Sequence, residues 1–307
     1  MMPQPSLHWG AEALWQQLEP VLPGLSIEVV RRAMSTNTEL LERARAVPES
    51  SGGDDTAVQV HRSVEGAAFG RRAIDLQPCL LVAEHQSAGR GRHGRPWRSE
   101  AGASLTFSLG LPLALADWSG LSLAVGVALC EALDPAPTHP RIGLKWPNDL
   151  WLVDAAAGAA AAGRKLGGIL IETVAAGSKR LVIIGIGLNV LPFDAADAAT
   201  GFASLHELDT QATAPQVLAR VAMPLVRALQ RFEREGFAAF ASAFEARDVL
   251  RGRCVRTTLP DVPEGIARGV SAQGELLVQT STGIARVASG EVSGRLAAAP
   301  APPASSS

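Results

Sequence analysis

The sequence predicts an α+β protein, with helices on a central mixed or antiparallel sheet and a small β-barrel at its C-terminal end. Three observations lead there. Short apolar runs of strand character recur at residues 80–84, 104–111, 141–153, 164–172 and 180–190. Apolar residues take helical spacing over 120–133 and 215–235. After Leu250 the chain breaks into short strand-like runs separated by glycine turns. The expected division is a main domain over 1–249, a barrel over 250–297 and a disordered tail, rich in Ala, Pro and Ser, over 298–307.

With 307 residues, 47% of them hydrophobic, the chain can bury a sizeable core in one large or two unequal domains. A formal net charge of −2 argues against a general polyanion-binding surface. Cys79, Cys130 and Cys254 are far apart, show no metal-ligand spacing and leave an odd count, which suits a reducing cytoplasm. The N-terminal residues lack a basic region followed by an apolar core, so no export signal is expected. The longest apolar stretch, 121–133, contains Cys130 and Glu131; it falls short of the roughly twenty residues that span a bilayer and reads as a buried helix.

Taken in order, residues 10–18 suit a short helix and 25–30 a strand, because β-branched residues concentrate there. So little chain precedes the next motif that no helix-turn-helix module, and hence no DNA-binding domain, is expected. Ser35-Thr36-Asn37 stands just before an apolar-periodic run. The simpler reading is a helix cap, with a hydroxyl accepting from the free N–H groups of the first turn; the functional reading is that the same groups hydrogen-bond a polar ligand at a positive helix end. One residue set can serve both. Residues 48–72 are polar and glycine-rich, a surface insertion with a short strand expected at 57–61.

The strand at 80–84 leads into a loop carrying Gly89, Gly91 and Gly94 interleaved with Arg90, Arg92 and Arg95. Glycines let the backbone approach a ligand, and guanidinium forks bind phosphate or carboxylate oxygens in pairs, so the loop suits closure over an anion. The Gly-x-Gly-x-x-Gly spacing also fits a dinucleotide fingerprint. That motif must open into a helix, whereas Arg95-Pro96-Trp97 and the alternating run from Ser104 lead into a strand. A single-strand nucleic-acid reading fails for want of a second basic cluster.

The buried helix over 120–133 is stopped by Asp134-Pro135. Residues 141–153 form a hairpin about a Pro147-Asn148-Asp149 turn. Lys145 inside its apolar strand calls for an anionic partner, since an unpaired buried ammonium is costly. Residues 155–163 are an Ala/Gly insertion, expected to be a flexible loop. Lys165 and Asn189 lie at the ends of the next two strands, where ligand groups converge on a sheet. A long amphipathic helix over 215–235 breaks at Gly236, and a second short one runs to 245. Barrel strands are expected at 253–259, 265–270, 276–279 and 284–287.

Five ordered motifs, Ser35-Thr36-Asn37, the segment from Gln86 to Trp97, Lys145-Trp146-Pro147-Asn148-Asp149-Leu150, Arg164-Lys165-Leu166-Gly167-Gly168-Ile169-Leu170 and Gly185-Ile186-Gly187-Leu188-Asn189-Val190, resemble those of biotin protein ligases. The resemblance implies a catalytic domain like that of class II aminoacyl-tRNA synthetases, an SH3-like C-terminal barrel, and biotin, ATP and Mg2+ with no tightly bound prosthetic group. It implies a two-step reaction in which the biotin carboxylate attacks the α-phosphorus of ATP, giving biotinyl-5′-AMP and pyrophosphate. A lysine of a biotin carboxyl carrier protein, of acetyl-CoA carboxylase or another biotin-dependent enzyme, then takes the biotin.

By resemblance, Ser35, Thr36, Asn37 and Gln86 bind the ureido ring, while Gly89, Arg90, Gly91 and Arg92 close over biotin and the adenylate. Lys165, with Arg92, is catalytic, between the carboxylate and the phosphate. Arg95 adds positive charge, Trp97 covers the nucleotide, Asn189 meets the adenine, and Asn148 and Asp149 hold Mg-ATP, with Asp149 as the metal contact. Lys145 is expected to order the Pro-Asn-Asp turn. The glycine-arginine loop is expected to be mobile until ligands bind. Longer members of the family carry an N-terminal winged helix for which this chain has no room, so no regulatory DNA binding and no membrane are expected, and a homodimer is left open. The rivals are a lipoate or octanoate ligase and a non-catalytic biotin sensor; Gln86 with the arginine loop argues against the first, and retention of Lys165 and Asn189 against the second.

Overall fold

The computed structural model describes residues 7–46, 68–69, 77–115, 117–135, 140–153, 163–176, 179–194, 201–290 and 292–293. The expectations for a strand at 57–61, for most of the 155–163 insertion and for the tail lie outside these residues. The chain runs α1 (Ala11–Leu18), β1 (Ser26–Ala33), α2 (Thr36–Arg45), β2 (Ala68–Phe69), β3 (Cys79–Gln86), β4 (Gly89–Arg90), β5 (Pro96–Trp97), β6 (Ser104–Pro112), α3 (Leu121–Leu133), β7 (Ile142–Lys145) and β8 (Asp149–Leu152). It continues through β9 (Arg164–Ala176), β10 (Lys179–Asn189), α4 (Ala214–Glu235), α5 (Ala241–Glu245), β11 (Cys254–Thr257), β12 (Glu264–Val270), β13 (Leu276–Thr280), β14 (Gly283–Val287) and β15 (Val292–Ser293).

Eight strands form the main sheet in the order β2-β1-β3-β6-β10-β9-β8-β7. Only β1 and β3 pair in parallel, joined by the α2 crossover; the other pairs are antiparallel, so the sheet is mixed as expected. Strand alternation sorts side chains to its two faces. Leu80, Val82, Phe107, Val182 and Ile184 enter the large core with α1, α3 and α4. Leu81, Val174, Leu181 and Ile183 meet Leu40, Leu41 and Ala44 of α2 on the other side. On that second face, from the row of Leu81 onward, the cross-strand partners turn small: Ser108 lies between Leu81 and Gly185, and in the next row Gly187 opposes Thr106 on one side and Gly168 on the other. Short α2 covers the large residues, and the small ones leave a hollow at its N-terminal end.

β11 to β15 make a separate five-stranded antiparallel sheet around Val255, Ala267, Leu276, Val278 and Val287. Four of its strands were expected; two-residue β15, which pairs with β11, is too short to show a period. β2 was likewise unexpected, a two-residue edge strand inside the segment read as an insertion. The turn before β13 docks on the main domain: the indole N–H of Trp146 donates to the Gly274 carbonyl at 3.0 Å. Gly274 has φ 81°, and a Cβ there would lie 2.7 Å from Gly120 Cα, so both conformation and closeness demand glycine. None of the three cysteines is in a disulfide; Cys79 and Cys130 are buried and Cys254 is exposed. Among the described residues, no helix is long and apolar enough to cross a membrane.

Candidate active site

The hollow is a cavity of about 150 Å³ bordered by all five sequence motifs. Its floor is uncharged and begins at the start of α2. Ser35 is the N-cap, its Oγ accepting from the Thr38 N–H at 3.4 Å, so the cap reading and the ligand reading fall on one residue. Gln86, the last residue of β3, accepts from the Thr36 N–H at 2.7 Å and from Thr36 Oγ1 at 3.2 Å. Ser108 Oγ lies 2.6 Å from both Thr36 Oγ1 and Asn37 Oδ1. The Asn37 amide donates to the Leu170 carbonyl at 3.1 Å and to Glu172 Oε2 at 2.9 Å. Each of Ser35, Thr36, Asn37 and Gln86 is buried, so this network fixes hydroxyl and amide orientations away from water.

Over the floor stands the glycine-arginine segment, folded as a small ribbon. β4 pairs with β5, matching Gly89 to Trp97, and the Gly91 N–H donates to the Arg95 carbonyl at 2.7 Å. A Cβ on Gly89 would come within 2.5 Å of the Trp97 carbonyl, which explains that glycine; Gly89 itself does not border the cavity. Between the strands a single 3-10 turn, Arg92–Gly94, carries His93 and Gly94 at positive φ. Arg90, Arg92 and Arg95 all border the cavity. Trp97 packs against β10, where a Cβ on Gly187 would be 2.4 Å from its ring.

The opposite wall is the hairpin of β7 and β8 with the start of β9. Lys165 Nζ pairs with Asp149 Oδ1 at 2.9 Å and lies 6.0 Å from the Trp97 ring centre. The Asn148 amide donates to the Ile169 carbonyl at 2.7 Å, while the Ile169 N–H returns a bond to the Asn148 carbonyl at 2.9 Å, so the turn is clamped to β9. Lys145, read from the sequence as buried, is half-buried at the cavity wall with its ammonium 4.7 Å from the Trp151 ring centre.

Asn189, expected to meet the adenine, does not border the cavity. Its buried amide donates to the Lys165 carbonyl at 3.3 Å and the Ala203 carbonyl at 3.0 Å, tying β10 to the base of Lys165. The sequence reading singled out neither Ser108 nor Glu172. Both sit in ordinary strand patterns, and their only sequence signal is a polar side chain on a face that otherwise packs against α2. Arginines and lysines lining the same cavity as neutral donors and acceptors suit a ligand pair in which anionic groups meet beside an uncharged polar ring.

Residues 76–189 match the family described as "Biotin/lipoate A/B protein ligase family", and residues 252–295 match "Biotin protein ligase C terminal domain". The chain is 33% identical over 295 residues to a biotin--[acetyl-CoA-carboxylase] ligase of Mycobacterium tuberculosis, covering 92% of this chain and 91% of that one. It is 32% identical over 265 residues to the bifunctional ligase/repressor BirA of Escherichia coli, covering 84% of this chain and 79% of the relative. Among solved structures, it is similar to biotin protein ligase from Aquifex aeolicus in complex with biotin and ATP, with a TM-score of 0.64, 25% identity, and coverage of 88% of this chain and 98% of that one.

Proposed function

The chain belongs to the biotin protein ligase family, and from that premise we propose that its cavity is where biotin and ATP are joined. The enzyme activates biotin to biotinyl-5′-AMP with release of pyrophosphate, then transfers the biotinyl group to a lysine of a biotin carboxyl carrier protein. The observation that carries this reading is that one cavity is lined both by the neutral hydrogen-bonding groups of Ser35, Thr36, Asn37 and Gln86 and by the cations Arg90, Arg92, Arg95 and Lys165.

Two anions must approach, and their repulsion is the first barrier. Fixed cations in a partly dry site lower it, and they stabilise the charge that builds as the carboxylate oxygen attacks phosphorus and the bond to pyrophosphate breaks. Lys165 and Arg92 are assigned that role. Asp149 holds the Lys165 ammonium, so a phosphate that draws Lys165 away competes with a carboxylate already in place. Arg90, Arg95 and Gly91 frame the ligand from above, and Trp97 supplies an apolar face for the nucleotide. Asn189, whose amide holds the Lys165 carbonyl at the cavity wall, is assigned to the adenine. In the second step the carrier lysine amine attacks the acyl carbon, AMP departs, and the loop of residues 89–97 shields the anhydride from water until then.

Magnesium belongs to the ATP substrate. Among the described residues no cluster of three or more His, Cys, Asp or Glu could hold a metal ion alone. An ion that takes most of its ligands from phosphates and water needs only one or two carboxylates, and Asp149 beside Asn148 fits that demand. We place the barrel boundary near Leu250 and the reaction in the cytoplasm, which suits three cysteines outside any disulfide.

The test is direct. Incubation with ATP, Mg2+ and biotin should give bound biotinyl-5′-AMP and pyrophosphate, with lipoate or octanoate giving less than a tenth of the signal. Arg92→Ala and Lys165→Ala should lose the intermediate while keeping the wild-type circular dichroism spectrum. Adenylate at wild-type levels in both would remove these residues from the chemistry.

A further inference from the structure

Resting on that reading, we propose that Glu172 is a positioning residue for biotin binding, holding the Asn37 amide in register on the cavity floor and the Arg90 guanidinium at its mouth through one carboxylate. Glu172 lies on β9 in the row that faces α2, between Leu170, which borders the cavity, and Val174, which packs under α2. Packing alone would put an apolar residue there. The Glu172 side chain is only 26% exposed, and a carboxylate is costly at such a place unless it is answered.

It is answered from two directions. Glu172 Oε2 accepts from Asn37 Nδ2 at 2.9 Å and from Arg90 Nη2 at 3.0 Å, and Oε1 lies 3.2 Å from the same Arg90 nitrogen. Residues 82 and 135 positions away in sequence are thereby linked at one point, one from the arginine loop and one from the floor. The bond also decides which way the Asn37 amide faces. Ser108 can donate or accept, so it tolerates either end of the amide, whereas Leu170 O and Glu172 only accept and require the NH2. Loss of Glu172 leaves the Leu170 carbonyl to hold that orientation, with the Arg90 side chain untethered from the floor.

The two functions separate by substitution. Glu172→Gln keeps an acceptor for Asn37 but removes the charge that holds Arg90; Glu172→Leu removes both. Pyrophosphate release is measured against biotin at saturating ATP, and against ATP at saturating biotin. We expect the biotin KM to rise about 3- to 10-fold in E172Q and further in E172L. In both variants that rise should exceed any fall in kcat at least threefold, and the ATP KM should stay within twofold. Trypsin should cut residues 90–95 faster in E172Q than in wild type before ligands are added.

A biotin KM within twofold of wild type in both variants overturns the proposal. So does an equal rise in both KM values with a lowered unfolding midpoint, which marks general damage to the fold. Should E172L fail to fold, E172Q alone decides. Wild-type protein that forms no adenylate would instead overturn the reading of the site itself, and this inference with it.

Discussion

Gly187 matters for what it lacks. The Trp97 ring occupies the place of its side chain, and Gly185 makes the same allowance for Asn37, whose Oδ1 would lie 2.2 Å from an added Cβ. Gly187→Ala should therefore cost about 1–3 kcal/mol as an overpacked contact and lower adenylate formation at least tenfold by displacing the indole. Urea unfolding beside pyrophosphate release measures both, and full activity in the variant would show that the Trp97 ring need not sit against Gly187. A second residue carries a pH signature. Burial pushes the Asp248 carboxyl up to about 6, although the N–H groups of Leu250 and Arg251 pull the other way. Between the ordinary aspartate range and that value the folded chain keeps a proton the unfolded chain has lost. The stabilisation is thus present at low pH and lost as pH rises through about 6. Asp248→Asn should shrink the fall in unfolding free energy between pH 5 and 7.5 by about 1–1.5 kcal/mol, read from urea midpoints at the two values. An unchanged slope would place the titration elsewhere.

α2 is the element on which the floor depends, because its first residues are the floor. Its far end is fastened by a buried ion pair: Arg43 reaches Glu28 of β1 at 2.9 Å and Glu39 of its own helix at 3.1 Å. Burial works against the Arg43 charge, but Glu28, Cys79 and Glu39 together outweigh it and the guanidinium is held above the usual arginine range. Removing one partner of such a pair leaves the other charged in a dry place, so Arg43→Met should cost about 3–5 kcal/mol, with most of it recovered in the double variant with Glu28→Gln. Chemical denaturation of the two single variants and the double tests this; additive losses would mean the pair is not coupled. The weakened α2 should also raise the biotin KM, since Thr36 and Asn37 move with it. The sequence marked the start of α2 through Ser35 but offered no sign of the anchor. Glu28 sits in a run of β-branched residues and Arg43 within a polar helix pattern, and their pairing is a fact of the fold.

At the scale of the molecule, the C-terminal sheet touches the site at one remove. Trp146, buried at the tip of the β7–β8 hairpin, donates to Gly274, while Asn148 and Asp149 of the same turn face the cavity. Trp146→Phe keeps an aromatic side chain, smaller than the indole, and removes the N–H, leaving the Gly274 carbonyl short of a partner, a loss of about 1–3 kcal/mol from the hydrogen bond. Because the proposed function assigns this turn to the nucleotide, the ATP KM should rise about threefold or more while the biotin KM holds. Steady-state titration of each substrate decides, and equal shifts would mean that the contact supports the whole fold rather than the turn.

The sequence by itself determined the element types, the order of the motifs and the family, because hydrophobic period, cap residues and glycine spacing are local signals that survive without a partner. Lys165, Arg90, Arg92 and Asp149, which border one cavity, were legible as candidates for the same reason: each is a charge or turn former out of keeping with its surroundings. What tertiary structure alone decided was which polar groups meet. Asn189 turned to the Lys165 carbonyl, Ser108 joined the floor, and Glu172 reached both Asn37 and Arg90. Such pairings depend on strand order and register, and a strand's own residues specify which face is buried without specifying which strand lies beside it.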